Sequence, residues 1–148
     1  MDSKLQALGE HIHDAMIELH RSGATSWTKD LAGGCAVAAW FLYKESRKKL
    51  NLNIEFHCNG GHAWNEFQGH IFDITGTQYG VLEKVFVVQR NNLDSVTNSW
   101  HKAMYDSFKR RTIDEVNAHW PTDQQPANFR LKWLNKSKAY ITYKERRT

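Results

Sequence analysis

Apolar side chains recur at helical spacing near the start of the chain. From Leu5 to Leu19 an apolar residue follows every three or four positions, which places these residues on one face of a helix. Asp2 or Ser3 can cap the start of such a helix and Gly23 can end it. The pattern therefore predicts an amphipathic helix over 3–21.

A second helix is predicted over 35–49, after the polar, glycine-rich stretch 22–34. Its first half, from Cys35 to Tyr43, is almost wholly apolar, and its second half is charged. We therefore expect the first half to be buried and the second half to reach solvent. Three alanines in the first half let a neighbouring sheet approach closely.

The hydrophobic period changes to two after residue 53, which is typical of strands. A short strand is predicted around Ile54 and Phe56, followed by a turn at 59–61. The segments 62–67 and 70–75 flank Gln68-Gly69, a pattern that predicts a tight hairpin. A further strand is predicted over 81–89, and its apolar residues on both faces suggest that it is central or covered.

From Leu93 onward the pattern is helical again. Trp100, Met104 and Phe108 lie four residues apart and are expected to form a buried stripe. A capping-box pattern begins at residue 112, and this helix would end before residue 121. A helix, with a final strand possible, is predicted within 124–143. The chain thus predicts one α+β domain over 1–148: N-terminal helices packed on a small antiparallel sheet of three to five strands, with a helical C-terminal part.

Composition narrows the class of protein. The 148 residues are 41% hydrophobic and 12% aromatic, which is enough for a packed core. The net charge is +4, and residues 101–148 hold 11 Lys and Arg against 5 Asp and Glu. Two cysteines form no disulfide framework, so a reducing compartment, the cytoplasm, is expected. No apolar run resembles a signal peptide or a membrane span, so no membrane partner is expected.

Three residues suggest nucleophilic chemistry. Cys35 follows Gly33-Gly34 at a helix start, where unpaired amide groups favour a thiolate. If Gln68-Gly69 is a two-residue turn, His62 and Asp73 project from the same face of the hairpin as diagonal neighbours. If that face rests on the N-terminal end of the Cys35 helix, His62 can accept the thiol proton and Asp73 can orient the imidazole ring.

These motifs resemble the transglutaminase-like branch of the papain-like cysteine enzymes. The resemblance rests on Gly34-Cys35 opening a helix, His62-Ala63-Trp64 starting a strand, and Asp73-Ile74-Thr75 on the next strand, and it covers about residues 27–90. It implies a core with the Cys helix packed on an antiparallel sheet. It also implies that Cys35, His62 and Asp73 act as nucleophile, base and orienting group, without a cofactor or a bound metal.

The expected activity is hydrolysis or acyl transfer at an amide or isopeptide bond of a peptide or protein, as in a thiol protease or amidase. Papain-type enzymes carry an oxyanion-binding Gln six residues before the cysteine, where this chain has Lys29. Trp27, Gln78 or a backbone amide is the alternative oxyanion donor. The residues expected to contact substrate are Trp27, Gly34, Trp64 and Gln78.

Other interpretations remain open from the sequence. The same triad would serve a protein-glutamine deamidase or a transglutaminase, and Cys35 can instead be an inert core cysteine. His57, Cys58 and His62 lie close enough in sequence for a zinc site, although a second ligand pair is missing. A non-catalytic nucleic-acid-binding module is the alternative from a different class. It would use the basic side chains of the C-terminal third: Lys102, Lys109, Arg110, Arg111, Arg130, Lys132, Lys136, Lys138, Arg146 and Arg147.

Overall fold

A computed structural model describes residues 2–23, 27–58, 62–106 and 109–110 of the chain. Helix α1 spans Ser3–Arg21, as the apolar spacing predicts. The carboxylate of Asp2 caps it by accepting hydrogen bonds from the amides of Lys4 and Leu5, at 2.9 and 3.0 Å. The predicted apolar stripe is buried in the main core.

Helix α2 spans Cys35–Glu45 and is buried along most of its length. The chain then continues as one π-helical turn, Ser46–Leu50, which closes at Asn51 in the left-handed conformation (φ 54°). The predicted helix over 35–49 is therefore present, but its charged end has the wider π geometry. Small side chains on α2 bring the sheet close, and Asn65 donates a hydrogen bond to the Ala39 carbonyl at 2.9 Å.

The strands form one antiparallel sheet. Its order is β4-β3-β2-β1-β5, and β5 contributes only two residues. The α+β prediction is confirmed for the described part of the chain. The strands span Glu55–Cys58 (β1), Ala63–Phe67 (β2), His70–Asp73 (β3), Phe86–Gln89 (β4) and Lys109–Arg110 (β5).

The hairpin between β2 and β3 has the predicted register. Phe67 pairs with His70, and Asn65 pairs with Phe72. Gln68 and Gly69 both adopt positive φ, 51° and 75°, which is the conformation of the two-residue turn that matches strand twist. This register fixes which side chains of the hairpin share a face.

The two faces of the sheet are covered by different helices. Phe72 and Ile74 lie in a core cluster with residues of α1 and α2. Trp64 and Ile71 lie in a second cluster with Tyr105 of α3, the helix Ser99–Asp106. Because successive strand residues alternate between faces, α1 and α2 cover one side and α3 covers the other.

One strand in this region is shorter than predicted, and one predicted apolar stripe was wrong. The predicted strand over 81–89 is reduced to β4, which lies at one edge of the described sheet; it is nevertheless covered on both faces, because Val87 packs on the α1 side and Val88 on the α3 side. The predicted apolar stripe of α3 is not the buried one: Trp100 is 66% exposed, whereas His101 and Tyr105 are buried. The polar atoms of these two residues are hydrogen-bonded, so their burial leaves no polar group unsatisfied.

Several predictions lie outside the described residues. They are the turn at 59–61, the helix that begins with the capping box at 112, the segment 124–143, and most of the basic side chains of the C-terminal third. Within the described residues, no helix is both long and apolar enough to cross a membrane.

Candidate active site

Cys35 is the first residue of α2, and its side chain is partly exposed. The N-cap is Gly34, which makes no side-chain hydrogen bond, so the first-turn amides keep their positive potential toward the thiol. A Cβ atom on Gly34 would lie 2.7 Å from the Met16 methyl and 3.2 Å from the Trp27 ring. The space at Gly34 is therefore filled by the core and not left for a substrate.

His62 and Asp73 are in direct contact. The His62 Nε2 atom lies 2.5 Å from Asp73 Oδ2, and the two residues are 3% and 1% exposed. The other oxygen of Asp73 accepts hydrogen bonds from the backbone amide and the hydroxyl of Thr75, at 2.9 and 3.1 Å. The hairpin register thus brings together the pair that the sequence places on one face.

The electrostatics favour an ion pair between these two residues. Burial, the largest single effect, lowers the pKa of His62, but the Asp73 carboxylate and the nearby Cys35 side chain outweigh it and raise the pKa to about 10. Burial raises the pKa of Asp73, but His62, Tyr105 and Thr75 together hold it below its ordinary value. At neutral pH the site therefore contains an imidazolium and a carboxylate.

Cys35 reaches His62 at the end of the sheet and not across its face. Ala63 packs with Ala36 and Ala39 of α2, whereas Trp64 and the His62 ring lie on the α3 side. Strand alternation turns the His62–Asp73 face toward α3, so the body of α2 packs on the opposite face of the sheet. His62 Nε2 faces Asp73, and Cys35 lies near enough to the ring to contribute to its raised pKa.

Helix α3 adds two groups that the sequence reasoning missed. The Tyr105 hydroxyl donates to Asp73 Oδ2 at 2.6 Å, and His101 Nε2 lies 2.7 Å from the same hydroxyl. Tyr79, from the 3-10 helix Gly76–Tyr79, packs its ring edge-on against His62 with centroids 5.2 Å apart. A His and a Tyr four residues apart on one helix were the available signal, since such residues share a face.

A cluster of polar side chains holds Trp64, which stacks on one face of the His62 ring. Trp64 stacks on that ring with centroids 5.7 Å apart, and its Nε1 donates to Glu66 at 3.0 Å. Glu66 also pairs with His57 Nδ1 at 2.6 Å and accepts a hydrogen bond from Arg90 Nε at 2.8 Å. Burial raises the pKa of Glu66, but these three partners outweigh it and lower the pKa to about 2. Trp64 is therefore a fixed support for the imidazole.

The structure places the other sequence-predicted site residues as follows. Trp27 lies in the core, and its Nε1 donates to the Met16 carbonyl at 3.0 Å. Gln78 directs its amide nitrogen to the carbonyl and the hydroxyl of Thr75, both at 3.0 Å. Since both side-chain donors are already engaged, the backbone amides at the start of α2 are the oxyanion donors that the geometry favours.

The zinc interpretation is not supported by the arrangement of its ligands. His57 turns toward Glu66 on the α3 side of the sheet, while Cys58 packs with α2 on the other side. Among the described residues, no group of three or more His, Cys, Asp or Glu side chains is placed to hold a metal ion.

Comparison with known proteins finds no matching family model, no matching curated protein and no matching solved structure.

Proposed function

We propose that this protein is a cysteine-dependent enzyme, of the transglutaminase-like type, that acts on amide or isopeptide bonds of peptides or proteins in the cytoplasm. One observation supports it above the others. A buried imidazole is held at 2.5 Å by a buried carboxylate, and a cysteine at a helix N-terminus lies near enough to raise the pKa of that imidazole. A nucleophile, a base and an orienting group placed next to one another in this order are typical of enzymes that carry out nucleophilic acyl transfer.

The first half of the reaction forms an acyl-enzyme. The Cys35 thiolate attacks the carbonyl carbon of the amide and gives a tetrahedral intermediate. The oxygen of that intermediate gains a negative charge, which the amides in the first turn of α2 can bind. The carbon–nitrogen bond then breaks, and the leaving amine takes the proton of the His62 imidazolium. Cys35 is left as a thioester and His62 is left neutral.

The second half releases the acyl group. Neutral His62 takes a proton from a water molecule as the water attacks the thioester carbonyl. The carbon–sulfur bond breaks, a carboxylic acid leaves, and the thiolate–imidazolium pair is restored. If a primary amine replaces water, the same steps transfer the acyl group to that amine. A primary-amide side chain as substrate gives deamidation, with ammonia as the leaving group.

Asp73 has two tasks in this cycle. Its carboxylate stabilises the imidazolium before acylation, and its hydrogen bond fixes the orientation of the ring. Trp64 stacks on one face of the ring, which limits rotation about the histidine side chain. The chemistry therefore relies on a histidine that is held from several sides before substrate arrives.

An activated ester tests this proposal without a known substrate. Incubation with p-nitrophenyl acetate should release a burst of nitrophenolate of one equivalent per chain and leave an acetyl group on Cys35, which peptide mass spectrometry locates. His62→Gln should slow both the burst and the loss of the acetyl group. Acetylation that is equal on Cys35 and Cys58, or that does not change in His62→Gln, would contradict the proposal.

His13→Gln is the matched control. His13, on α1, is also a buried histidine, and its Nδ1 atom is hydrogen-bonded with the Ile74 carbonyl at 2.9 Å. It tests whether loss of any buried histidine slows acetylation through general loosening of the fold. We expect this variant to acetylate Cys35 close to the wild-type rate, provided that circular dichroism shows it folded.

A further inference from the structure

A chain of hydrogen bonds extends from the candidate triad into α3. His62 Nε2 contacts Asp73 Oδ2 at 2.5 Å, the Tyr105 hydroxyl contacts the same oxygen at 2.6 Å, and His101 Nε2 contacts that hydroxyl at 2.7 Å. All four residues are buried, and Tyr105 is 0% exposed. A buried chain of this kind has only a few proton arrangements that leave every atom satisfied.

The direction of each hydrogen bond follows from the charge of Asp73. Hydrogen bonds and the charge of His62 keep the pKa of Asp73 below its ordinary value, against the effect of burial, so its oxygens only accept. The single hydroxyl proton of Tyr105 must then point to Asp73. His101 Nε2 must therefore carry a proton and donate it to the Tyr105 oxygen. Burial lowers the pKa of His101, so its ring is neutral with the proton on Nε2.

We propose that Tyr105 and His101 are positioning residues for the triad, which hold Asp73 ionised and aimed at His62. This inference rests on the proposed function. His101 orients the Tyr105 hydroxyl, Tyr105 occupies the second acceptor direction of Oδ2, and Thr75 holds Oδ1. The carboxylate is thus fixed by α3 on one side and by its own strand end on the other.

The backbone of α3 is also held by residues that are not part of this series of hydrogen bonds. Arg90 donates from Nη1 to the Tyr105 carbonyl at 2.7 Å, and its remaining donors bind Glu66. Glu66 in turn holds Trp64, which stacks on His62. The contacts therefore form a closed network that joins both sides of the imidazole to α3. Removing the Tyr105 hydroxyl breaks this network at one defined hydrogen bond.

The test uses Tyr105→Phe, which keeps the aromatic ring and removes one hydroxyl. Two variants of His101 test its hydrogen bond with Tyr105. In His101→Gln the amide nitrogen can still donate to the Tyr105 oxygen, and in His101→Leu no donor remains. The readouts are the nitrogen chemical shifts of the His101 and His62 rings in ¹⁵N-labelled protein, and the pH dependence of Cys35 alkylation by iodoacetamide. Thermal unfolding shows whether each variant is folded.

The pH readout has a definite sign. Tyr105 helps to lower the pKa of Asp73, so Tyr105→Phe should raise the pKa of Asp73. The acid limb of the Cys35 alkylation profile should then move to higher pH. The titratable groups around Asp73 come from three elements: Cys35 of α2, Tyr79 of the 3-10 helix, and His101 and Tyr105 of α3, together with His62 before β2. None of them other than Tyr105 changes in this variant.

We expect wild-type His101 to show the spectrum of a neutral ring protonated at Nε2. Tyr105→Phe should lower the alkylation rate of Cys35 about tenfold, since one hydrogen bond to a charged group is lost. His101→Gln should retain the wild-type acid limb, and His101→Leu should shift it as Tyr105→Phe does.

A His101 ring protonated at Nδ1, or a Tyr105→Phe acid limb identical to wild type, would overturn the positioning role. Failure of the proposed function gives a different result. Cys35 would then not acetylate through His62, whereas the His101 ring would still show the neutral form protonated at Nε2.

Discussion

Replacement of Asp73 by Asn tests how strongly the site depends on a charge. Four hydrogen-bond donors converge on the two oxygens of Asp73: His62 Nε2 and the Tyr105 hydroxyl on Oδ2, and the Thr75 amide and hydroxyl on Oδ1. An Asn side chain has one oxygen and one NH2 group. In either orientation its NH2 group faces donors, so Asp73→Asn is not a conservative change here.

The structure brackets the size of the effect. Loss of a single hydrogen bond to a charged group costs about 1.5–3 kcal/mol, which is a factor of about 10–100 in a rate constant. A second effect acts through the His62 ring: the Asp73 carboxylate is the largest of the influences that raise the pKa of that ring to about 10 against burial, so Asp73→Asn lowers this pKa.

The assay is alkylation of Cys35 by iodoacetamide at pH 7, followed by peptide mass spectrometry. Cys58 is the other cysteine of the sequence and is also partly exposed, so it is the internal reference within each sample. We expect Asp73→Asn to slow Cys35 at least tenfold and to leave Cys58 unchanged. Direct observation of the His62 ring by NMR should show a neutral imidazole. An imidazolium at pH 7 in this variant, or a wild-type alkylation rate, would show that the Asp73 carboxylate is not what keeps His62 charged and Cys35 reactive.

Three other changes test the fold around the site. Gly34→Ala places a Cβ atom 2.7 Å from the Met16 methyl and should cost about 1–3 kcal/mol of unfolding free energy in a denaturant titration; an unchanged midpoint would contradict the packing described. Glu66 has a folded pKa of about 2 against 4.5 when unfolded, so its contribution to stability is present above pH 4.5 and is lost as the pH falls toward 2. Glu66→Gln should therefore flatten the stability profile in that window, and a profile parallel to wild type would refute the ion pairing. Gln68→Asn, at a positive φ of 51°, should raise the melting temperature by about 1–3 °C; a decrease would argue against this turn geometry.

The elements that the sequence predicts best are those specified by local pattern. The stripe from Leu5 to Leu19 needs only helical periodicity, and Gln68-Gly69 needs only the conformational demands of a two-residue turn. The turn then determines the register, and the register places His62 and Asp73 together. The candidate pair was therefore within reach of sequence reasoning.

The hydrophobic pattern of the sequence did not predict which face of α3 packs on the sheet. Hydrophobic spacing favours Trp100 and Met104 as the buried stripe, but the structure buries His101 and Tyr105 instead. The cost of burying their polar atoms is removed by Asp73, a residue 32 positions before Tyr105. The spacing of His101 and Tyr105 places them on one helix face, but no local pattern links that face to Asp73, so the sequence alone did not assign them to the site.

The sequence alone did not specify where α2 lies relative to the site, for a related reason. Same-face placement of His62 and Asp73 follows from strand parity, but which helix covers that face depends on the whole sheet. Asn65, on the opposite face, holds α2 through the Ala39 carbonyl. Cys35 therefore meets His62 around the end of the sheet, at the N-terminus of its helix.

The proposed function depends most on Cys35 being a nucleophile that His62 activates. The most direct measurement is the rate of Cys35 alkylation by iodoacetamide at pH 7, in wild type and in His62→Gln, with Cys58 as the reference. We expect wild-type Cys35 to react about tenfold faster than Cys58 or more, and His62→Gln to lose most of this difference. Equal rates for Cys35 and Cys58 in wild type, or a Cys35 rate that His62→Gln leaves unchanged, would contradict the nucleophilic role of Cys35.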